Sequence, residues 1–234
     1  MHTTPKKIWI TRAEPGASAT AKRVVALGHA PFVAPLLKVQ MLEDVSIDLH
    51  GVAALAFTSA NGVRAFAAST ADRGLRVFAV GPATARAARA AGFRHVLSSD
   101  DDVAALADGI AARRRDLNGL VLHAGAAEPA GDLMGALAAH GIAARGLSLY
   151  DTLPAALSST EIAELSSIHL VLLHSPKAAH ALGGLLRKTP LPNLRALGLS
   201  KSVMRPLSRA KLAGKAFAPF PLEAAMLNLI DRTL

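Results

Sequence analysis

Four short stretches and two single side chains carry the chemistry this sequence can offer. Thr58-Ser59-Ala60-Asn61 and Ser175-Pro176 each follow an apolar run and place hydroxyls where a helix begins, with proline at a first-turn position in the second. Gly81-Pro82-Ala83-Thr84 and Gly198-Leu199-Ser200-Lys201 instead put glycine at the turn, where the backbone bends sharply or comes close to a ligand. If the preceding runs are parallel strands, all four turns lie at the carboxyl edge of a sheet and present free helix N–H groups to an anionic group. The same residue types also serve simply as helix caps. Tyr150, the only tyrosine, stands in a stretch with linker character, where a phenol beside an interdomain gap can donate a hydrogen bond to a departing oxygen. A linker tyrosine with its hydroxyl satisfied internally is the alternative. Arg12 can hold a carboxylate bidentately or remain a solvated loop charge.

Other chemistries are excluded or unsupported. With no cysteine among 234 residues, disulfides, zinc ribbons, iron–sulfur clusters and thiol nucleophiles drop out. The nine histidines include no HExxH or other i, i+4 metal pair, and His169, His174 and His180 share no helical face, so core or surface roles are expected for them. Neither GxxxxGK[ST] nor GxGxxG occurs, and Gly198-Leu-Ser-Lys-Ser202 lacks the closing glycine of a nucleophile elbow. Lys and Arg outnumber Asp and Glu by 26 to 17, a formal charge of +9 that favours polyanionic partners. The basic residues are scattered apart from Arg113-Arg114-Arg115, which is expected to close a helix, and aromatics are only 4%, too few to stack bases. A small molecule with several carboxylates therefore fits better than nucleic acid. Mean hydropathy is +0.33, but no apolar run approaches a membrane span, and Ile8-Trp9-Ile10 is too short for a secretion signal; a soluble cytoplasmic protein is expected.

The elements that must position these groups follow from hydrophobic patterning. Runs at residues 7–11, 53–57, 77–80, 120–123, 169–173 and 195–199 predict strands, each followed by an alanine-rich stretch of helical period. Runs at 31–34, 94–97 and 216–220 predict outer strands. The fold class is α/β with parallel sheets covered on both faces. The sequence also repeats in the order A-B-C-A′-B′-C′: Ser59 pairs with Ser175 at an offset of 175 − 59 = 116, and Gly81 with Gly198 at 198 − 81 = 117. A third pair joins the segments from Ile8 and from Leu120. Division into residues 1–118 and 119–234 is simplest, but extended stretches at 35–40 and 147–154 occupy corresponding places and also permit the chain to cross over and back.

Taken together, Ile10-Thr-Arg12, Phe57-Thr-Ser-Ala-Asn-Gly-Val63, Val80-Gly-Pro-Ala-Thr-Ala85 with Ala91-Gly-Phe93, and Leu149-Tyr-Asp-Thr152 resemble the uroporphyrinogen-III synthase family over nearly the whole chain. The resemblance implies two flavodoxin-like domains joined by a two-stranded linker, residues 1–37 with 153–234 forming one and 38–152 the other. It further implies a monomer that closes hydroxymethylbilane with inversion of the terminal ring, without metal or cofactor. The residues it assigns to the substrate are Thr11, Arg12, Thr58, Ser59, Asn61, Gly81, Thr84, Gly125, Ser175, Ser200 and Lys201, with Tyr150 as the chemically active side chain. The family's second Gly-Pro-Thr-Thr-Ala is here Gly198-Leu-Ser-Lys-Ser202, its Thr-Ser-Pro is His174-Ser175-Pro176, and its Thr-Arg-Pro is Thr11-Arg12-Ala13. A non-catalytic two-lobed protein binding an anionic ligand or nucleic acid is the competing reading.

Overall fold

In the computed structural model, which describes residues 4–14, 16–99, 102–129 and 131–234, the apolar runs become strands of two separate sheets. In chain order the elements are β1 (Lys7–Ile10), α1 (Gly16–Ala26), β2 (Ala30–Val33), β3 (Leu37–Met41), β4 (Val52–Phe57), α2 (Ala60–Ser69), β5 (Arg76–Val80), α3 (Gly81–Ala90), β6 (Val96–Ser99), α4 (Val103–Ala111) and β7 (Leu120–Ala126). There follow α5 (Leu133–Ala139), β8 (Ala144–Pro154), α6 (Ser159–Glu164), β9 (Leu170–Leu173), α7 (Pro176–Lys188), β10 (Arg195–Gly198), α8 (Lys201–Met204), β11 (Gly214–Phe217), α9 (Glu223–Leu227) and α10 (Ile230–Thr233). The outer strands at β6 and β11 are displaced by about two residues from the runs that predict them. The arginine cluster does not close a helix: α4 ends at Ala111, and Arg114–Asp116 form a separate short turn of 3₁₀ helix.

The chain forms two compact units, Met1–Lys38 with Leu153–Leu234, and Val39–Thr152, so it does not divide at 118/119. The first unit's sheet runs β2-β1-β9-β10-β11 with every pairing parallel. The second runs β8-β7-β4-β5-β6, also parallel, with β3 added beyond β8. Ser175 and Ser59 follow β9 and β4, while Gly198 ends β10 and Gly81 follows β5, so the two orders match strand for strand although the chain enters them at different points. In each sheet the connections leave in opposite directions at one place, between β1 and β9 and between β7 and β4. Such reversal points leave a crevice at the carboxyl edge where ligands bind in open α/β sheets.

Both faces of each sheet are buried, which explains near-continuous apolar strands such as Leu170–Leu173, buried throughout. In the first unit Trp9, Val171 and Ala196 pack against α7, while Ile8, Ile10 and Leu172 pack with α1 and the C-terminal helices. In the second, Leu55, Phe57 and Leu122 pack with α2 and α3, while Ala54, Phe78 and Val121 pack with α4 and α5. The buried Trp9 indole donates to Ala34 O at 2.7 Å, so its polar edge is satisfied.

The stretches predicted as extended linkers are strands. Leu42 N–H donates to Leu149 O at 3.0 Å and Ala155 N–H to Leu36 O at 2.9 Å, so β3 and β8 run antiparallel. In β8 the pairing with β7 slips, Gly125 facing Ser148 but Ala126 facing Tyr150, which leaves Leu149 as an extra residue. A bulge of this kind breaks the alternation of side chains. Leu149 and Tyr150, though adjacent, therefore enter the same core.

Candidate functional site

In the second unit the bulge decides where Tyr150 goes. The residue is only 5% exposed, packed in the core that contains Phe57 and Phe66, and its hydroxyl lies 2.7 Å from Ser59 Oγ. This corrects the expectation of a phenol open to an interdomain gap. Ser59 in turn caps α2, its Oγ accepting from Gly62 N–H at 3.2 Å. One residue earlier, Thr58 Oγ1 lies 3.2 Å from Nε2 of His123, on the neighbouring strand β7. Burial pushes the His123 pKa below its usual value, so the imidazole is neutral at pH 7. Gly125 leaves room for that ring: a Cβ there would stand 3.1 Å from Nε2. Thr58, Ser59, Gly125 and Tyr150 thus converge at the reversal point of this sheet, and Asn61, in the first turn of α2, accepts from the Arg64 guanidinium.

Gly81 and Thr84 lie one strand away, after β5. Val80 gives α3 no side-chain cap, so its first-turn N–H groups stay available. Thr84, 5% exposed, is buried within α3. Gly81 has φ +74° and nothing within 4 Å of a hypothetical Cβ, so glycine is required by conformation and not by crowding. Gly81→Ala is expected to cost about 1–2 kcal/mol, the penalty of the left-handed region for a residue with Cβ, read as a fall of roughly 2–8 °C in melting temperature. A loss of ligand affinity beyond that explained by unfolding would show that a ligand approaches the Cα.

In the first unit, Thr11 is fully buried and its hydroxyl donates to Leu172 O at 2.7 Å, which spends its single proton. It pins β1 to β9 and offers a ligand no donor, a correction to its assignment. Arg12 contacts Glu223, its Nη1 3.3 Å from Oε1. The same carboxylate receives Arg23 and Thr20 and lies 3.2 Å from His174 Nε2. Burial alone would raise the Glu223 pKa; hydrogen bonds from His174 and Thr20 and the charge of Arg12 outweigh it and hold the value at about 2. Burial lowers the His174 pKa against the opposing effect of Glu223, and His174 Nδ1 is buried without a partner. Ser175 and Ser200 cap α7 and α8 through Ala178 N–H and Val203 N–H. Lys201 is exposed and lines a cavity of about 750 Å3 with Met204, Arg205 and Phe217.

His123, His174 and Glu223 are the groups that sequence reasoning missed. The one available signal was a histidine inside an otherwise apolar strand, Leu120-Val-Leu-His123-Ala-Gly125; nothing in the sequence ties Glu223 to Arg12.

The family profile described as uroporphyrinogen-III synthase HemD matches residues 18–228. The uroporphyrinogen-III synthetase of Helicobacter pylori superposes with a TM-score of 0.69 at 17% identity, over 97% of this chain and 99% of that one. A mutant uroporphyrinogen III synthase from the extremely thermophilic bacterium Thermus thermophilus gives 0.52 at 17% identity, covering 97% and 98%. At such identities the likeness is one of fold. No curated protein matches the chain significantly.

Proposed function

Because the chain belongs to the uroporphyrinogen-III synthase family, we propose that it closes hydroxymethylbilane to uroporphyrinogen III, as a hydro-lyase of tetrapyrrole biosynthesis working without metal or cofactor. The observation that carries this reading is the family match over residues 18–228. The placement of capped turns at the carboxyl edge of both sheets supports it. In the reaction the hydroxyl leaves to give an azafulvene, the far ring attacks through its substituted carbon to form a spiro intermediate, and fragmentation with reclosure inverts that ring. The protein's main task is geometric. Holding the two ends of an open chain in reacting position supplies up to roughly 7–11 kcal/mol without a strong nucleophile. The N–H groups that open α2, α3 and α7, with Arg12 and Lys201, are the proposed holders of the acetate and propionate arms. Tyr150 acts through Ser59, setting the direction of that hydroxyl at the start of α2. The same reading has the protein acting as a monomer in the cytoplasm; among the described residues no helix is long and apolar enough to cross a membrane.

The isomer formed from hydroxymethylbilane tests the reading. Two smaller effects accompany it. Uro-type tetrapyrroles with free carboxylates should bind more tightly than their esters, and equal binding would remove the anion-holding role of the turns. Tyr150→Phe keeps the ring packing and leaves Ser59 capping α2, so it should cost about 0.5–1.5 kcal/mol of stability. Its rate of type III formation should fall by no more than about tenfold, below the range of direct general-acid catalysis. A wild-type rate would make Tyr150 purely a core residue.

A further inference from the structure

The duplicated sheets provide an internal control for His123. Ile10 pairs with Leu172, and His123 pairs with Ala56. Leu172 and Ala56 are equivalent by the offset that relates Ser175 to Ser59, 172 − 56 = 116. His123 is therefore the second unit's counterpart of Ile10. On its other side Ile10 faces Val33, whereas His123 faces Gly146. Two residues on, Arg12 is replaced by Gly125. Around one strand position the first unit has Ile, Leu, Val and Arg; the second has His, Ala, Gly and Gly. The fold does not need a histidine here, and burying an imidazole where an aliphatic chain fits is unfavourable unless its polar atoms are used.

Beside His123 lies a cavity of about 360 Å3 lined also by Pro129, Gly131, Asp132, Leu133 and Met134. That volume seats a small ring and its substituents but not a whole tetrapyrrole. Among the described residues the lining contains no cation, so it is unsuited to a carboxylate. It does contain acceptors. With Nε2–H directed to Thr58, the other nitrogen of a neutral His123 accepts, and among the described residues no hydrogen bond reaches it. Asp132 Oδ1 already caps α5 through Gly135 N–H, which leaves Oδ2 as a second acceptor. Among the described residues Asp132 is the one charged side chain lining the cavity, and Ala56 and Gly146, which flank His123 in the sheet, carry none.

We propose that this hollow is a binding pocket for a single aromatic N–H ring, one pyrrole of the bilane, with His123 and Asp132 accepting its N–H and Pro129, Leu133 and Met134 lying against the ring. This deepens the proposed function and rests on it for the identity of the ring. The carboxylate arms then belong to the helix N-termini and the ring to the pocket, a division of labour that separates polar arms from apolar body.

The test is calorimetric binding to the full chain of a monopyrrole bearing one carboxymethyl and one carboxyethyl arm, beside its N-methyl counterpart. The N–H compound should bind at least about tenfold tighter, since the methylated ring leaves the acceptor nitrogen of the buried His123 unpaired. His123→Ile and Gly146→Val each install the first unit's residue. Both should melt close to wild type and lose the preference for the N–H ring; should one fail to fold, the other decides. Equal binding of the two pyrroles to wild type, or a preference that survives in the folded variants, overturns the proposal. Because this binding requires no turnover, it can fail while type III formation stands, and type III formation can fail while the pocket stands.

Discussion

Freshly generated hydroxymethylbilane should close mainly to the type III isomer when the protein is present, in a ratio to type I that rises with protein concentration and does not change with added chelator. The unaided bilane closes readily without inversion, so the protein must make the inverting route faster than a competing spontaneous one. A difference of about 1.4 kcal/mol between the two closing barriers already gives a tenfold isomer excess. Orientation can supply several times that amount. The expected result is thus a near-complete switch of product and not a modest enrichment. Oxidation of the products followed by chromatographic separation of the isomers measures it. If only type I appears, the enzyme reading is wrong; salt-sensitive DNA binding in its place would favour the non-catalytic alternative.

The second large effect concerns Glu223. Its side chain is 18% exposed and holds together Arg12, Thr20 and Arg23 from one segment and His174 from another far away in the chain. Glu223→Gln keeps the shape but removes the charge, leaving the partly buried guanidinium of Arg12 without its counter-ion. The cost at pH 7 should be on the order of 2 kcal/mol, after allowance for the solvent that reaches the pair. The pH dependence identifies the cause. A carboxylate held at about 2 when folded and near 4.5 when unfolded contributes stability that is complete above the unfolded value and lost as pH falls from about 4.5 toward 2. His123, lowered from 6.5 by burial, weakens the fold earlier, as pH falls below that value, in wild type and variant alike, whereas His174, which Glu223 holds up against burial, is lowered further in the variant. Melting curves of wild type and Glu223→Gln should therefore be well separated at pH 7 and pH 5 and draw together as the pH falls from about 4.5 toward 2. A constant separation down to pH 3 would falsify the charge explanation and leave only a packing defect.

The sequence determined the local parts of this protein. Runs of alternating or continuous apolar residues sufficed for the central strands, because burial on both faces of a parallel sheet leaves little choice of residue. Ser59, Ser175 and Ser200 cap the helices that follow them, since a cap is a contact between near neighbours in the chain. The internal repeat, visible as offsets of 116 and 117, also carried the matching strand orders of the two sheets.

Tertiary structure decided which of those parts touch. Tyr150 meets Ser59 across 91 residues because a one-residue slip in β8 turns it into the core, and neither the slip nor its direction is written in composition or period. His123 meets Thr58 only because β7 pairs with β4 in a register that sets it opposite Ala56. Glu223 reaches Arg12 across 211 residues because the C-terminal helices fold back against β1. Thr11, which looks like a ligand contact in sequence, loses that role to a carbonyl 161 residues away. Hydrophobic period specifies which face of an element is buried; it carries no information on which polar atoms the register of distant strands brings within hydrogen-bond reach.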